Sequence, residues 1–162
     1  MAIVALTATK RSNLSVMVSN QVKASHGMNI LDWTIEVGSA DADTSTYLIA
    51  HLPSNCRISG LSWLGFDDLG SSTAPEIDIG TFNFADGTAD DFNSMNEGLT
   101  PATAVLTTPM LADLADNGLY LWEIGTSPSS DPGGFIDIKI TIDAADIDTA
   151  GTISGSVIYR ME

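Results

Sequence analysis

Base and nucleophile chemistry at neutral pH falls first to His26, His51 and Cys56. His26 lies in Ser25-His26-Gly27, and His51 lies in the apolar run Tyr47-Leu48-Ile49-Ala50-His51-Leu52-Pro53. Neither stands near a nucleophile motif such as G-x-S-x-G. Two histidines and one cysteine are also a thin set for a structural zinc site. The lone Cys56, in Asn55-Cys56-Arg57-Ile58, has no internal disulfide partner and predicts a buried thiol. The expectation is a protein that is not an enzyme.

Carboxylates are plentiful, so their pairing carries little specificity. Asp67-Asp68, Asp90-Asp91 and the group Asp143, Asp146 and Asp148 are each the right residue types for a general acid and its base. With 21 acidic residues in 162, solvated loop carboxylates are the simpler expectation. Calcium wants several oxygens from one loop, and Asp41-Ala42-Asp43-Thr44 and residues 143–148 offer paired acids. Neither carries the glycine at position six or the glutamate at twelve of an EF-hand. There is no G-x-x-x-x-G-K-[ST] or G-x-G-x-x-G loop to cradle phosphate. We expect no metal and no cofactor.

Charge divides the chain. Residues 1–31 hold Lys10, Arg11 and Lys23 and no acid, while the remainder sets three cations against all 21 acids, or −18. Such asymmetry points to a partner. Lys10, Arg11 and Lys23 are the candidate partner-binding residues, either toward another protein or toward the acidic body of a neighbouring copy. Apolar residues beside them (Ile3, Val4, Leu6, Leu14, Val16, Met17 and Val18) suit a strand added to a neighbour's sheet edge. A pI near 4.1 disfavours nucleic acid. No apolar run approaches the roughly 18 residues of a membrane span. The start lacks a signal peptide's basic n-region, so synthesis in a cytoplasm is expected.

The elements that must position these groups read as strands. Residues 30–37, 76–80 and 135–143 alternate apolar and polar side chains, which puts one set on a core face and the other in water. Further candidates are 2–8, 14–18, 46–52, 56–66, 103–107, 119–124 and 151–160. Turn clusters punctuate them about every ten residues, the pattern of an antiparallel sandwich or jelly roll. Helix signals are weak. Residues 90–96 suit one helical turn, and 109–118 a short helix between Pro109 and Gly118. Residues 80–109 read as a long excursion from the sandwich. The fold class is therefore all-β: an antiparallel, jelly-roll-like β-sandwich over residues 29–162, with an extended N-terminal arm over 1–28 and little helix. Hydrophobic residues make up 44% of the chain, enough for a real core.

Trp33, Trp63 and Trp122 all fall in strand-like runs. Trp33 shares a face with Leu31, Ile35 and Val37, and Trp122 with Tyr120 and Ile124. Core packing is the default reading, with an exposed sugar-stacking platform as the functional alternative.

One stretch goes beyond generic strand signals. Thr46-Tyr47-Leu48-Ile49-Ala50-His51-Leu52-Pro53 leads through Ser54-Asn55-Cys56-Arg57-Ile58-Ser59-Gly60-Leu61 to Phe66-Asp67-Asp68-Leu69-Gly70 and Ile77-Asp78-Ile79-Gly80. This order of parts, with the closing strand at 151–160, resembles small head proteins of tailed bacteriophages over about residues 45–81 and 134–160. The resemblance implies a head decoration (cement) protein with a β-sandwich body. It would sit on the outer surface of the virion, often as a homotrimer, and bridge subunits of the major capsid protein without catalysis. The alternative is a carbohydrate- or receptor-binding module of a virion fibre or surface protein. A third reading is a subunit of another assembly, such as a tail.

Overall fold

A computed structural model describes residues 5–7, 27–70, 75–125 and 129–161. Among the described residues, ten strands form two sheets: β1 (Ala5–Thr7), β2 (Met28–Val37), β3 (Thr46–Pro53), β4 (Cys56–Ile58), β5 (Trp63–Phe66), β6 (Glu76–Asn83), β7 (Ala89–Leu99), β8 (Val105–Pro109), β9 (Phe135–Asp143) and β10 (Gly151–Met161). One sheet runs β1-β3-β9-β6-β7; the other runs β2-β10-β5-β8, with β4 also paired to β10. All pairings are antiparallel except the parallel β1–β3 pair. This is the antiparallel β-sandwich that the alternation predicts. No helix among the described residues is long and apolar enough to cross a membrane.

The core lies between the sheets, and period two decides its membership. Leu31, Trp33, Ile35 and Val37 of β2 point inward, as do Ile136, Ile138, Ile140 and Ile142 of β9. Their β-branched and aromatic side chains suit a pleated, half-buried surface. Trp33 is opposite Gly155 of β10, where the missing side chain leaves room for the indole.

Several expectations are corrected. Residues 90–96 are not a helical turn, and 80–109 is not an excursion: most of it is β7 and β8. The polar composition of β7 hides it, because its ladder to β6 uses backbone groups and is interrupted by three register shifts. Residues 119–124 are not a strand. They close into a 3₁₀ turn, Leu121–Glu123, in which Glu123 Oε2 accepts the Tyr120 N–H at 2.8 Å. The 109–118 helix shrinks to the 3₁₀ turn Leu114–Asp116, capped by Asp113. The run 56–66 splits into β4 and β5 at buried Ser62, whose hydroxyl accepts the Ile158 N–H (2.9 Å) and donates to the Ile158 carbonyl (3.2 Å). Within the proposed arm, Ala5–Thr7 pairs with β3 of its own chain, at the sheet edge. The 14–18 candidate lies outside the described residues.

Candidate functional site

Pairing of β3 with β9 sets His51 opposite Asp137, 86 positions away in sequence. His51 Nδ1 lies 2.8 Å from Asp137 Oδ1. The imidazole stacks on Phe135 (centroids 4.5 Å apart, planes at 11°) and meets Phe84 at 4.3 Å. Among the described residues no hydroxyl or thiol is hydrogen-bonded to it. The histidine is thus held by a carboxylate and two rings on the outer face of its sheet. Sequence reasoning missed this cluster: Phe84 follows the end of β6, and only the register reveals its neighbours. His26 lies outside the described residues.

Cys56 is buried, as its sequence setting predicts. Burial pushes its thiol up to about 12, against an ordinary value of 9.0. Tyr47 is raised too, first by burial and then by its hydrogen bond to the Asp41 carboxylate. Both groups hold their protons in the fold after the unfolded chain has lost them. Their stabilisation is therefore present below the unfolded values and lost as pH rises above about 9 for Cys56, and above about 10 for Tyr47. We expect the urea midpoint to fall steadily between pH 8.5 and 10.5. Cys56→Ala should remove the lower part of that fall, on the order of 1 kcal/mol between pH 9 and 10. An unchanged slope in the variant would exclude the thiol as its source.

The paired carboxylates turn out to tie loops together. Asp67 Oδ2 accepts the Thr152 N–H at 2.9 Å, Asp68 accepts from Gly70, and Asp90 from the Thr81 hydroxyl. The two candidate cation loops do meet. Asp146 Oδ1 accepts the Asp43 N–H at 2.8 Å, and the Asp41 carbonyl accepts the Ile147 N–H at 2.9 Å. Asp41 Oδ2 also accepts the Gly38 N–H at 2.8 Å. These acids serve as acceptors for backbone across the two loops. Among the described residues no group of three His, Cys, Asp or Glu is placed to hold a metal ion. Asp78 is buried beneath β7, where its Oδ1 accepts the Gly98 N–H at 2.7 Å. Burial raises its pKa, and Asp143, Glu76 and Glu97 push the same way.

The three tryptophans separate. Trp33 is core. Trp63 stands partly exposed on the outer face of β5, beside Ser156. Trp122 stacks on Tyr120 (6.3 Å, 13°), over which the Arg57 guanidinium sits at 3.7 Å. Trp122 also lines a groove of about 310 Å³ with Phe82, Phe135, Asn83, Thr88 and Asp90. The strand face predicted for Trp122, Tyr120 and Ile124 does not form, because the segment is a turn; Trp122 and Tyr120 meet by stacking, and Ile124 is buried in the core. Lys10, Arg11 and Lys23 lie outside the described residues. The described cations are Arg57, Lys139 and Arg160.

No family model matches the chain, and no curated protein matches it in sequence. Solved structures do share its architecture. A chain in the capsid of Ralstonia phage GP4 aligns with a TM-score of 0.61 at 17% identity, covering 86% of this chain and 88% of that one. A chain in the capsid asymmetric unit of cyanophage Pam1 aligns with a TM-score of 0.52 at 14% identity, covering 85% and 90%. At these identities the comparison establishes a common fold: this chain has the β-sandwich of chains found in two phage capsids.

Proposed function

We propose that this chain is a virion structural protein. It decorates the outer surface of a tailed-phage capsid and bridges neighbouring subunits of the major capsid protein. The observation that carries the reading is the fold shared along nearly the whole length of both partners with chains of two phage capsids. The sequence resemblance supports it independently: the Leu-Pro pair ends β3, Asp68-Leu69-Gly70 follows β5, and Ile77-Asp78-Ile79-Gly80 lies within β6. The order β3-β9-β6-β7 facing β2-β10-β5-β8 further supports a jelly roll. On this reading the protein has no catalytic role. It assembles as a homotrimer and acts by burying interface area that capsid symmetry repeats many times. Lys10, Arg11 and Lys23 contact the capsid or a neighbouring subunit.

Co-sedimentation with capsids of the source phage tests this. Saturable binding at a fixed ratio is expected, weakened about tenfold or more when Lys10, Arg11 and Lys23 are replaced together by alanine. Absence of binding would overturn the reading, and full binding by the triple variant would remove those cations from it. One observation favours carbohydrate binding as the second reading: the Trp122 groove joins aromatic walls to Asn83, Thr88 and Asp90. Glycan-dependent quenching of tryptophan fluorescence without capsid binding would favour it.

A further inference from the structure

The outer face of the β2-β10-β5-β8 sheet changes charge along its strands. β10 orders the rows. At one end Arg160 is in register with Arg57 of β4 and Met28 of β2. Two positions on, Ile158 pairs with Ile30. In the middle, Ser156 lies between Asp32 and Trp63 and its hydroxyl donates to Asp32. Ser154 then lies between Thr34 and Gly65. At the far end Thr152 pairs with Glu36, donates its hydroxyl to that carboxylate at 3.2 Å, and donates its N–H to Asp67. Two of the three described cations therefore mark one end, and Glu36 and Asp67 mark the other. The basic half also carries bare apolar surface: Met28 is 59% exposed and Ile30 58%, with Trp63 at the middle row and Leu61 in the turn before β5.

We propose that this face is a contact between two copies of the chain, the basic apolar end of one seated on the acidic end of the other. A second copy carries the same net charge of −15, so the contact rests on the local pairing of unlike ends and not on net charge. A second copy turned end for end is complementary. A twofold axis across the Ser156 row sets Arg160 between the partner's Asp67 and Glu36, while Arg57, held over Tyr120 and donating to the Gly118 carbonyl, adds its charge at the same end. Trp63 then packs near its own counterpart, the kind of central aromatic anchor on which interfaces depend. Asp32 meets its counterpart as well, and this like-charge pair opposes the contact at the outer strand β2. The face is about 27 Å long, from eight residue steps at roughly 3.4 Å, and spans strands about 4.8 Å apart. Two such faces bury on the order of 1,000 Å² in total, the lower end for a specific interface. A reversible association is the expected result. It requires no capsid and stands apart from the decoration reading; within the proposed trimer it would join copies of neighbouring trimers.

Sedimentation equilibrium of the full chain across micromolar to near-millimolar concentration tests the contact. The weight-average mass of the wild type should double with concentration. Arg160→Glu and Glu36→Lys both change exposed side chains, and each should weaken the association about tenfold. The two together restore opposite charges across the axis and should recover most of the loss, which a general effect on folding or solubility would not produce. A mass that does not change with concentration overturns the proposal. So does an association indifferent to either reversal, or a double variant as weak as the singles. Capsid co-sedimentation of the same variants keeps this outcome separate from that of the decoration reading.

Discussion

Gly80→Ala is expected to cost about 3 kcal/mol or more, above the usual range for adding one methyl group. Gly80 sits on the outer face of β6 opposite Lys139, and β7 folds back across it. A Cβ built there would lie 2.1 Å from the Asp91 carbonyl oxygen and 2.3 Å from the Phe92 carbonyl carbon. Both are backbone atoms, so no rotamer change relieves the clash. The β7 chain must lift, which breaks the Thr81–Asp91 pairing and the bond from the Thr81 N–H to Ser94. Gly38→Ala is the control: the nearest group to its Cβ would be the Asp41 carboxylate, a side chain, at 3.2 Å. Urea unfolding of the two variants should show a large drop in midpoint for Gly80→Ala and a small one for Gly38→Ala. Equal midpoints would mean that β7 does not cross the sheet at this point.

Trp33→Ala should cost about 3–5 kcal/mol, the range for removing a large buried aromatic. The indole is 2% exposed, and Gly155 faces it across the β2–β10 ladder. Its ring lies so close that a Cβ at position 155 would come within 2.8 Å of Cζ2. No small side chain on that side can expand to fill the space, so the cavity persists. The Nε1–H has no acceptor among the described residues. Trp33→Phe should therefore cost clearly less than Trp33→Ala, because it keeps most of the packing and removes an unsatisfied donor. Equilibrium unfolding checks both variants, and equal losses would contradict the packing argument.

Legibility in the sequence follows burial. β2, β9 and β10 could be read because each turns an alternating apolar set into the core, and a two-residue period cannot be shifted without moving that set out of it. β7 could not, because its residues are mostly polar, its ladder to β6 through Ala89, Asp91, Asn96 and Leu99 is broken by register shifts, and Asp90 and Ser94 meet Thr81 through their side chains. Trp122 misled for a related reason: a short apolar run has the same composition in a strand as in a 3₁₀ turn, and the Tyr120–Glu123 bond that closes the turn carries no apolar signature. Cys56 and Trp33 were placed correctly by their apolar neighbours. The candidate cation loops were picked out one at a time, but their meeting through Asp43 and Asp146 was not visible.

The residue pattern alone determined the all-β class, the buried thiol, the acidic body and the inward set of each regular strand. Those properties depend on composition and local alternation, which every segment carries within itself. Tertiary structure alone decided that His51 meets Asp137, that β7 crosses Gly80, and that Arg57 and Arg160 share one end of a face whose other end holds Glu36 and Asp67. Alternation states which face of a strand is buried. It does not state which strand lies alongside, because pairing uses the N–H and C=O groups common to nearly all residues. The choice of neighbour and register is made by the packing of both sheets at once, and every candidate contact found here depends on that choice.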